Sequence, residues 1–318
     1  MATDPGACIR TCRGTSRVSG LRFAGCALLV AHAVFVACSV RPEWQRLASG
    51  AGLEVRWIET GAFRHLVIAN ARSAGHLNIY IEGDGRPWIR ERRIAVDPTP
   101  ANPLLLRLMV DDERAAVYLG RPCYFGTATS PSCDPYIWTT GRYSEPVVRS
   151  MCDAANRLSV ERGADSVGLI GYSGGGALAV GMRDCIHRLK SITTIAANLD
   201  VDAWTAHHDY APLELPARPV AVAGDLTQVA ETHWQCSADE NVPPEITDRY
   251  FEKHPAAIRM IVDDCSHDKG WMRHRQRVQA SRKSDHGIGP LREPMREGKQ
   301  NSLESEAQSD NTRESNRP

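Results

Sequence analysis

Apolar residues along this chain fall into short blocks of two kinds. Compact runs rich in valine, isoleucine, leucine and tyrosine are typical of buried strands. Such runs occupy residues 53–59, 65–69, 77–81, 115–119, 167–170, 191–196, 231–235 and 257–262. Longer blocks with helical spacing occupy residues 104–111, 143–162 and 174–187. Because buried strands alternate with helices, the pattern predicts an α/β fold whose mostly parallel central sheet is covered on both faces.

Two segments depart from this alternation. Residues 198–226 have weaker periodicity, aromatic residues and several prolines, and are predicted to form a small cap or inserted loop. Residues 276–318 contain few apolar side chains, too few for burial to offset the entropy of ordering, so a disordered polar tail is predicted there. The α/β domain is therefore expected to span residues 53–275, after a linker at 39–52.

The N-terminal residues have the pattern of an export signal. A lead containing four arginines precedes the apolar run 23–37, and together they predict a signal peptide over residues 1–38. The small residue Ala37 before Cys38 resembles a bacterial lipoprotein processing site, at which the cysteine carries lipid. Ordinary cleavage nearby and an uncleaved anchor are the alternatives. Each places the domain outside the cytoplasm, in the periplasm or outer membrane or secreted, and the expected membrane contact is lipid on Cys38.

Cysteine positions agree with export. Cys123 and Cys133 flank a loop rich in Gly, Pro, Ser and Thr, and are predicted to close it as a disulfide in an oxidising compartment. Cys152 and Cys185 fall in predicted helices and are expected to be buried thiols. No His or Cys companions stand at metal-ligand spacing, so no metal site is expected.

The charge balance bears on the class of partner. The chain has 38 basic and 38 acidic residues among 318, and a hydrophobic content of 42% that suffices for a large core. No basic stripe with interleaved aromatic residues is seen in the sequence beside this neutral balance, so a nucleic-acid partner is not expected.

The strongest chemical motif is Gly171-Tyr172-Ser173-Gly174-Gly175. It follows a predicted strand and precedes a predicted helix, which is the context in which Gly-x-Ser-x-Gly forms a nucleophile elbow. The turn exposes the serine hydroxyl at a helix N-terminus, where the helix dipole favours negative charge. Ser173 is therefore the candidate nucleophile, and a glycine-rich turn that only connects the elements or binds phosphate is the alternative.

A serine nucleophile needs a base from a later loop at the same edge of the sheet. His267 follows the last predicted strand through a tight turn at residues 263–266. His207 and His208 lie in the predicted cap, and His233 lies within a predicted strand. His267 is therefore the candidate base.

The candidate acid is Asp239, which follows the penultimate predicted strand and precedes Val242 and Pro243. An aspartate there would accept the imidazole N–H and orient the other ring nitrogen towards serine. Cys236 and Cys265, which stand just before the candidate acid and base, are a further candidate pair. The competing carboxylates are Asp225, ranked second, and Asp200 and Asp202.

Backbone donors are also required for the oxyanion that develops during acyl transfer. One predicted donor is the N–H of Gly174, and the second is the N–H of Asp84 or Gly85 in the turn after the third strand. An alternative treats Glu82 and Asp84 as metal-binding carboxylates, although no further ligand cluster accompanies them.

Together these motifs resemble the α/β-hydrolase superfamily, and within it bacterial exported, lipoprotein-like esterases and lipases. The motifs that carry the resemblance occupy residues 80–85, 97–100, 121–123, 138, 142–144, 171–175, 239–243, 267 and 270–271. The resemblance implies hydrolysis of carboxylic esters or related acyl groups without a cofactor, by serine attack, an acyl-enzyme and then water. The alternative is a non-catalytic exported protein that keeps the fold as a binding or structural module.

Overall fold

The computed structural model describes residues 41–72, 75–90, 92–214 and 229–281. The predicted signal peptide with Cys38, the alternative acid Asp225 and residues 282–318 of the predicted tail lie outside the described residues.

Ten strands form two sheets in the part of the chain that the structure describes. The strands are β1 (Glu54–Thr60), β2 (Phe63–Ala69), β3 (His76–Ile81), β4 (Trp88–Ile89), β5 (Arg93–Ile94), β6 (Ala115–Leu119), β7 (Ser166–Tyr172), β8 (Leu189–Ile195), β9 (Ala230–Cys236) and β10 (Ile258–Val262). The large sheet has the order β1-β2-β6-β3-β7-β8-β9-β10, while β4 and β5 form a separate hairpin. Strand β2 is antiparallel to both neighbours, and the strands from β6 to β10 run parallel. The predicted mostly parallel sheet is confirmed.

Seven helices accompany the large sheet in the described residues. They are α1 (Glu43–Gly50), α2 (Leu104–Val110), α3 (Glu145–Glu161), α4 (Gly174–Gly181), α5 (Val201–His207), α6 (Asp248–Lys253) and α7 (Arg275–Ser281). The central strands are almost wholly buried, as expected for parallel strands covered on both faces. Because the carboxyl ends of parallel strands meet at one edge, the loops after β3, β7, β9 and β10 converge there.

Three element boundaries differ from the sequence expectation. Helix α1 lies in the predicted linker 39–52 and buries Trp44 and Ala48 against the core. Helix α7 overlaps the start of the predicted tail 276–318 and buries Val278. The helix expected over 174–187 ends at Gly181 and is followed by a short 3₁₀ turn. Each difference concerns a helix of one or two turns, for which local periodicity is a weak signal.

Three disulfides link cysteines of the domain. The predicted bond Cys123–Cys133 and the candidate pair Cys236–Cys265 are both present. The expectation of buried thiols at Cys152 and Cys185 is wrong, because these residues also form a disulfide, with a Cα–Cα distance of 5.9 Å. The shorter helix places Cys185 in the 3₁₀ turn, within reach of helix α3. Three disulfides are compatible with an exported protein.

Within the part of the chain that the structure describes, no helix combines the length and apolar character needed to cross a membrane.

The packing of helix α1 leads to a test of stability. The Trp44 ring is buried and meets the ring of Phe125 edge-on at a centroid distance of 5.8 Å. Replacing Trp44 with alanine removes this burial and leaves a cavity, so we expect the free energy of unfolding to fall by about 3 kcal/mol in urea titrations. Gln45→Ala, on the exposed side of the same helix, is the control and should change it by no more than about 0.5 kcal/mol.

Candidate active site

Ser173 occupies the sharp turn between β7 and α4. Its backbone has a φ of 51°, a conformation that non-glycine residues rarely adopt. The turn is fixed by its own hydrogen bonds: the Ser173 N–H donates to the Ile195 carbonyl at 2.9 Å, and the Ser173 carbonyl accepts from Gly176 N–H at 2.9 Å. The predicted strand–turn–helix geometry of a nucleophile elbow is therefore present.

Glycines at the elbow allow backbone segments to touch. A Cβ on Gly171 would lie 2.4 Å from the Gly175 carbonyl oxygen, so only glycine lets β7 and α4 approach this closely. A Cβ on Gly174 would lie 2.0 Å from Asp84 Oδ1. The elbow thus packs directly against the loop that follows β3.

The structure brings the three predicted triad side chains together. Ser173 Oγ lies 3.0 Å from His267 Nε2, and His267 Nδ1 lies 2.9 Å from Asp239 Oδ2. The other oxygen of the buried Asp239 accepts from the N–H groups of Asn241 and Val242 at 2.9 and 2.8 Å. These bonds fix the carboxylate in place. An imidazole that donates from Nδ1 to Asp239 presents an unprotonated Nε2 to the serine hydroxyl.

Two aromatic residues hold the His267 loop. Tyr172 OH donates to the His267 carbonyl at 3.0 Å, and Trp271 Nε1 donates to the same oxygen at 2.9 Å. The Tyr172 ring also lies 5.3 Å from the imidazole ring, centroid to centroid. Tyr172 is part of the elbow motif, but nothing in the local sequence indicates that it contacts His267.

The disulfide Cys236–Cys265 joins the two loops that carry the candidate acid and base. Cys236 ends β9 three residues before Asp239, and Cys265 lies two residues before His267. The loops are further joined by the hydrogen bond from Ser237 Oγ to Asp263 at 2.6 Å. The separation of acid and base is thus fixed by covalent as well as polar contacts.

The competing histidines and aspartates that the structure describes make other contacts. His233 is buried in β9, where Nδ1 meets Thr194 Oγ1 at 2.8 Å, and His208 Nε2 meets the Asn241 carbonyl at 2.7 Å. Asp200 caps helix α5 by accepting from Ala203 N–H. None of these contacts places a competitor against Ser173.

Asp84 has a side-chain role that its predicted backbone role did not include. Its carboxylate accepts from Arg121 Nη1 at 2.5 Å, Arg142 Nη1 at 2.9 Å and Tyr143 OH at 2.8 Å. Its carbonyl accepts from Tyr124 OH at 2.9 Å. Burial by itself raises the pKa of the Asp84 carboxyl, but the two guanidinium groups outweigh burial and lower that pKa to about 2.

Glu82, two residues earlier, lies in a different environment. Its fully buried carboxylate accepts from Leu105 N–H at 2.9 Å and from Gly83 N–H at 3.4 Å. Burial raises the pKa of Glu82 to about 7, against the opposing effect of these backbone donors. Glu82 and Asp84 are therefore engaged separately instead of forming a shared cation site. No cluster of three metal-ligating side chains occurs among residues 41–72, 75–90, 92–214 and 229–281.

The predicted oxyanion donors lie next to the serine. Gly174 is the first residue of α4, so its N–H has no acceptor within the helix. Asp84 and Gly85 line the same cavity as Ser173. These positions suit backbone donors on either side of a reacting carbonyl.

A cavity of about 800 Å³ opens above Ser173 and His267. Its apolar lining includes Trp88, Trp204, Tyr210 and Leu213. Trp204 and Tyr210 belong to the described part of the predicted cap, and their rings meet at a centroid distance of 5.4 Å. The site therefore combines a polar reacting centre with aromatic walls, as small-molecule sites commonly do.

The raised pKa of Glu82 predicts a specific pH dependence of stability. Because the folded-state pKa, about 7, exceeds the ordinary value of 4.5, the folded protein binds this proton more tightly than the unfolded chain. The contribution of Glu82 to the free energy of unfolding should therefore fall by about 3 kcal/mol as the pH rises from 4.5 to 7. Glu82→Gln mimics the protonated side chain and should not show this fall.

The measurement is urea unfolding of both proteins at pH 5 and pH 8. The stability of Glu82→Gln relative to the native protein should increase with pH, and parallel pH profiles would contradict the assignment. Glu145→Gln, whose carboxylate is exposed on α3, is the control and should follow the native profile.

Comparison with known proteins gives structural but no sequence matches: no family model and no curated protein matches the chain. Puromycin hydrolase matches with a TM-score of 0.52 and 14% identity, over 73% of this chain and 38% of that chain. A protein of unknown function from Agrobacterium tumefaciens, provisionally described as an α/β-hydrolase, matches with a TM-score of 0.51 and 11% identity, over 73% of this chain and 95% of that one. An α/β serine hydrolase without a lid from Xanthomonas campestris has a TM-score of 0.49 and 13% identity, over 75% of this chain and 97% of that one. At such low identity the first two of these likenesses concern the fold, and with the parallel sheet and the elbow between β7 and α4 they show that this chain has the α/β-hydrolase fold.

Proposed function

We propose that this protein is a serine hydrolase that cleaves carboxylic esters or related acyl groups through an acyl-enzyme intermediate. The observation that supports the proposal best is the continuous chain of contacts from Ser173 Oγ to His267 Nε2 at 3.0 Å, and from His267 Nδ1 to Asp239 at 2.9 Å. Such a nucleophile, base and orienting acid form the arrangement used for acyl transfer on unrelated folds.

In this proposal, Ser173 Oγ attacks the substrate carbonyl carbon while its proton passes to His267 Nε2. The imidazolium that forms is stabilised by the buried Asp239 carboxylate. The tetrahedral oxyanion accepts hydrogen bonds from the N–H of Gly174 and from the N–H of Asp84 or Gly85. The intermediate collapses as His267 returns the proton to the leaving alcohol. Water then attacks the acyl-enzyme by the same steps and releases the acid.

The loop after β3 suits this role because it is rigid. Two arginines hold the Asp84 side chain and Tyr124 holds its carbonyl, so the backbone next to Ser173 is positioned before substrate arrives. Donors that need no rearrangement during the reaction stabilise the transition state more than flexible donors do.

The cavity and the cysteines support the proposed substrate class and location. A volume of about 800 Å³ with aromatic walls suits a small-molecule ester with an apolar part. The three disulfides and the signal-like N-terminus support export to the periplasm or outer membrane.

The first test is covalent labelling with a fluorescent fluorophosphonate, which reacts with activated serines. The native protein should be labelled, whereas Ser173→Ala should not be labelled and His267→Ala should react at least a hundredfold more slowly, because the base is absent. Ser49→Ala, at an exposed serine of helix α1, is the control and should label normally. Labelling that persists in Ser173→Ala would contradict the nucleophile, and an unlabelled native protein would favour the non-catalytic module.

The second test concerns the acid. Asp239→Asn should reduce turnover of p-nitrophenyl esters by about 10³- to 10⁴-fold, because the amide no longer stabilises the correct tautomer and the imidazolium. Asp268→Asn removes an exposed carboxylate adjacent to His267 and should change turnover only a few-fold. Asp225→Asn is the second control: a large loss there, with little effect at Asp239, would exchange the two assignments.

A further inference from the structure

The segment from Arg86 to Val96 forms a small hairpin at the mouth of the cavity, here termed the arginine hairpin. Strands β4 and β5 pair Trp88 with Ile94 and Ile89 with Arg93. Trp88 and Arg86 line the cavity above Ser173. The hairpin is therefore both a surface feature and part of the entrance to the candidate site.

One face of the arginine hairpin is apolar and exposed. Trp88 and Ile94 are 40% and 42% exposed, and as a cross-strand pair their side chains project from the same face. Val96, two residues beyond Ile94, is 77% exposed. The other large exposed apolar side chains among the described residues are scattered over β1, α3, β10 and the loop after α5. The hairpin therefore has three large exposed apolar side chains within the nine residues 88–96.

The same segment is strongly basic. Arg86, Arg90, Arg92 and Arg93 are exposed, and none forms a salt bridge with a described residue. The only acidic residue within the segment is Glu91, whose placement lies outside the described residues, so the segment carries a net charge of +3 by sequence. The next residue, Asp97, accepts from the N–H groups of Thr99 and Gly126. The net charge of the whole chain is zero and so does not reveal this local excess of positive charge.

We propose that the arginine hairpin binds an anionic lipid surface. Tryptophan and aliphatic side chains enter the boundary between headgroups and acyl chains, while arginines contact lipid phosphates. A soluble polyanion would use the arginines but would leave Trp88, Ile94 and Val96 exposed to water. A neutral apolar partner would leave the arginines without counter-charges. An anionic bilayer satisfies the apolar face together with Arg90 and Arg92 at the turn, whereas Arg93, which pairs with Ile89, projects from the opposite face.

This surface is separate from the lipid expected on Cys38 and does not depend on it. The binding also does not require catalysis. Its consequence for substrate rests on the proposed function: with Trp88 at the interface, the cavity entrance faces the lipid phase, so the preferred substrates would be esters of membrane-embedded acyl chains.

The test is co-sedimentation of the full chain carrying Cys38→Ser with vesicles of phosphatidylglycerol and phosphatidylcholine at 1:3, or of phosphatidylcholine alone. The partition coefficient should be at least tenfold larger for the anionic vesicles and should fall in 0.5 M salt. The combined variant Arg90→Gln and Arg92→Gln should lower it by about 25-fold, since each arginine contributes about fivefold. Trp88→Ala should lower it by about tenfold.

Control variants distinguish binding at this surface from nonspecific adsorption to vesicles, and the membrane proposal from the catalytic proposal. Val160→Ser and Arg149→Gln change exposed residues of helix α3 and should leave vesicle binding unchanged. The double arginine variant should react with fluorophosphonate at the native rate, because neither arginine lines the cavity. Equal binding to both vesicle types, or unchanged binding by the double arginine variant, would overturn the proposal. Arginine-dependent binding to soluble heparin without vesicle binding would overturn it in favour of a polyanion site.

Discussion

Contact between backbone segments at the elbow constrains the candidate site more than any other interaction. Strand β7, Ser173 and helix α4 pack so tightly that residue 171 has no room for a Cβ. Residue 174 has none either, because the Asp84 carboxylate fills the space. The turn that strains the serine and the loop that faces it therefore form one packed unit, and displacement of either segment would displace the other.

In the loop after β3, the pKa values of two neighbouring carboxyl groups are shifted in opposite directions. Asp84 and Glu82 are separated by one residue, yet the pKa of Asp84 is about 2 and that of Glu82 about 7. Burial disfavours the charged form of both. Asp84 has two guanidinium partners that overcome burial, whereas Glu82 is met mainly by backbone N–H groups, which do not. Asp84, whose hydrogen bonds hold the loop, therefore stays charged near neutral pH, whereas Glu82 is the carboxyl group that titrates there.

Local patterns predict much of the fold and the positions of the three candidate triad residues. The alternation of buried strands and helices, and the order of Ser173, Asp239 and His267 along the chain, place each of these residues after a different parallel strand. The bonds that fix Asp239 are also local, since they come from N–H groups two and three residues later. Such features depend on nearby residues and so appear in the sequence.

Contacts between distant residues are not predicted in this way. The partners of the Asp84 carboxylate lie 37, 58 and 59 residues away, and no spacing rule links them. Helix α1 is only eight residues long, so its place in the core depends on tertiary packing of Trp44, not on its own periodicity. The disulfide at Cys185 is not predicted for a related reason, because it depends on where helix α4 ends.

The order of the disulfides has a consequence for how the protein matures. Six cysteines allow 15 different pairings, yet in the domain each cysteine is joined to the next one along the chain: 123 to 133, 152 to 185, and 236 to 265. A polypeptide that enters an oxidising compartment from its N-terminus therefore presents each partner before the following pair emerges. Pairing in order of arrival would already yield the connectivity 123–133, 152–185 and 236–265, so an oxidant alone would suffice to form it without reshuffling of wrongly joined cysteines.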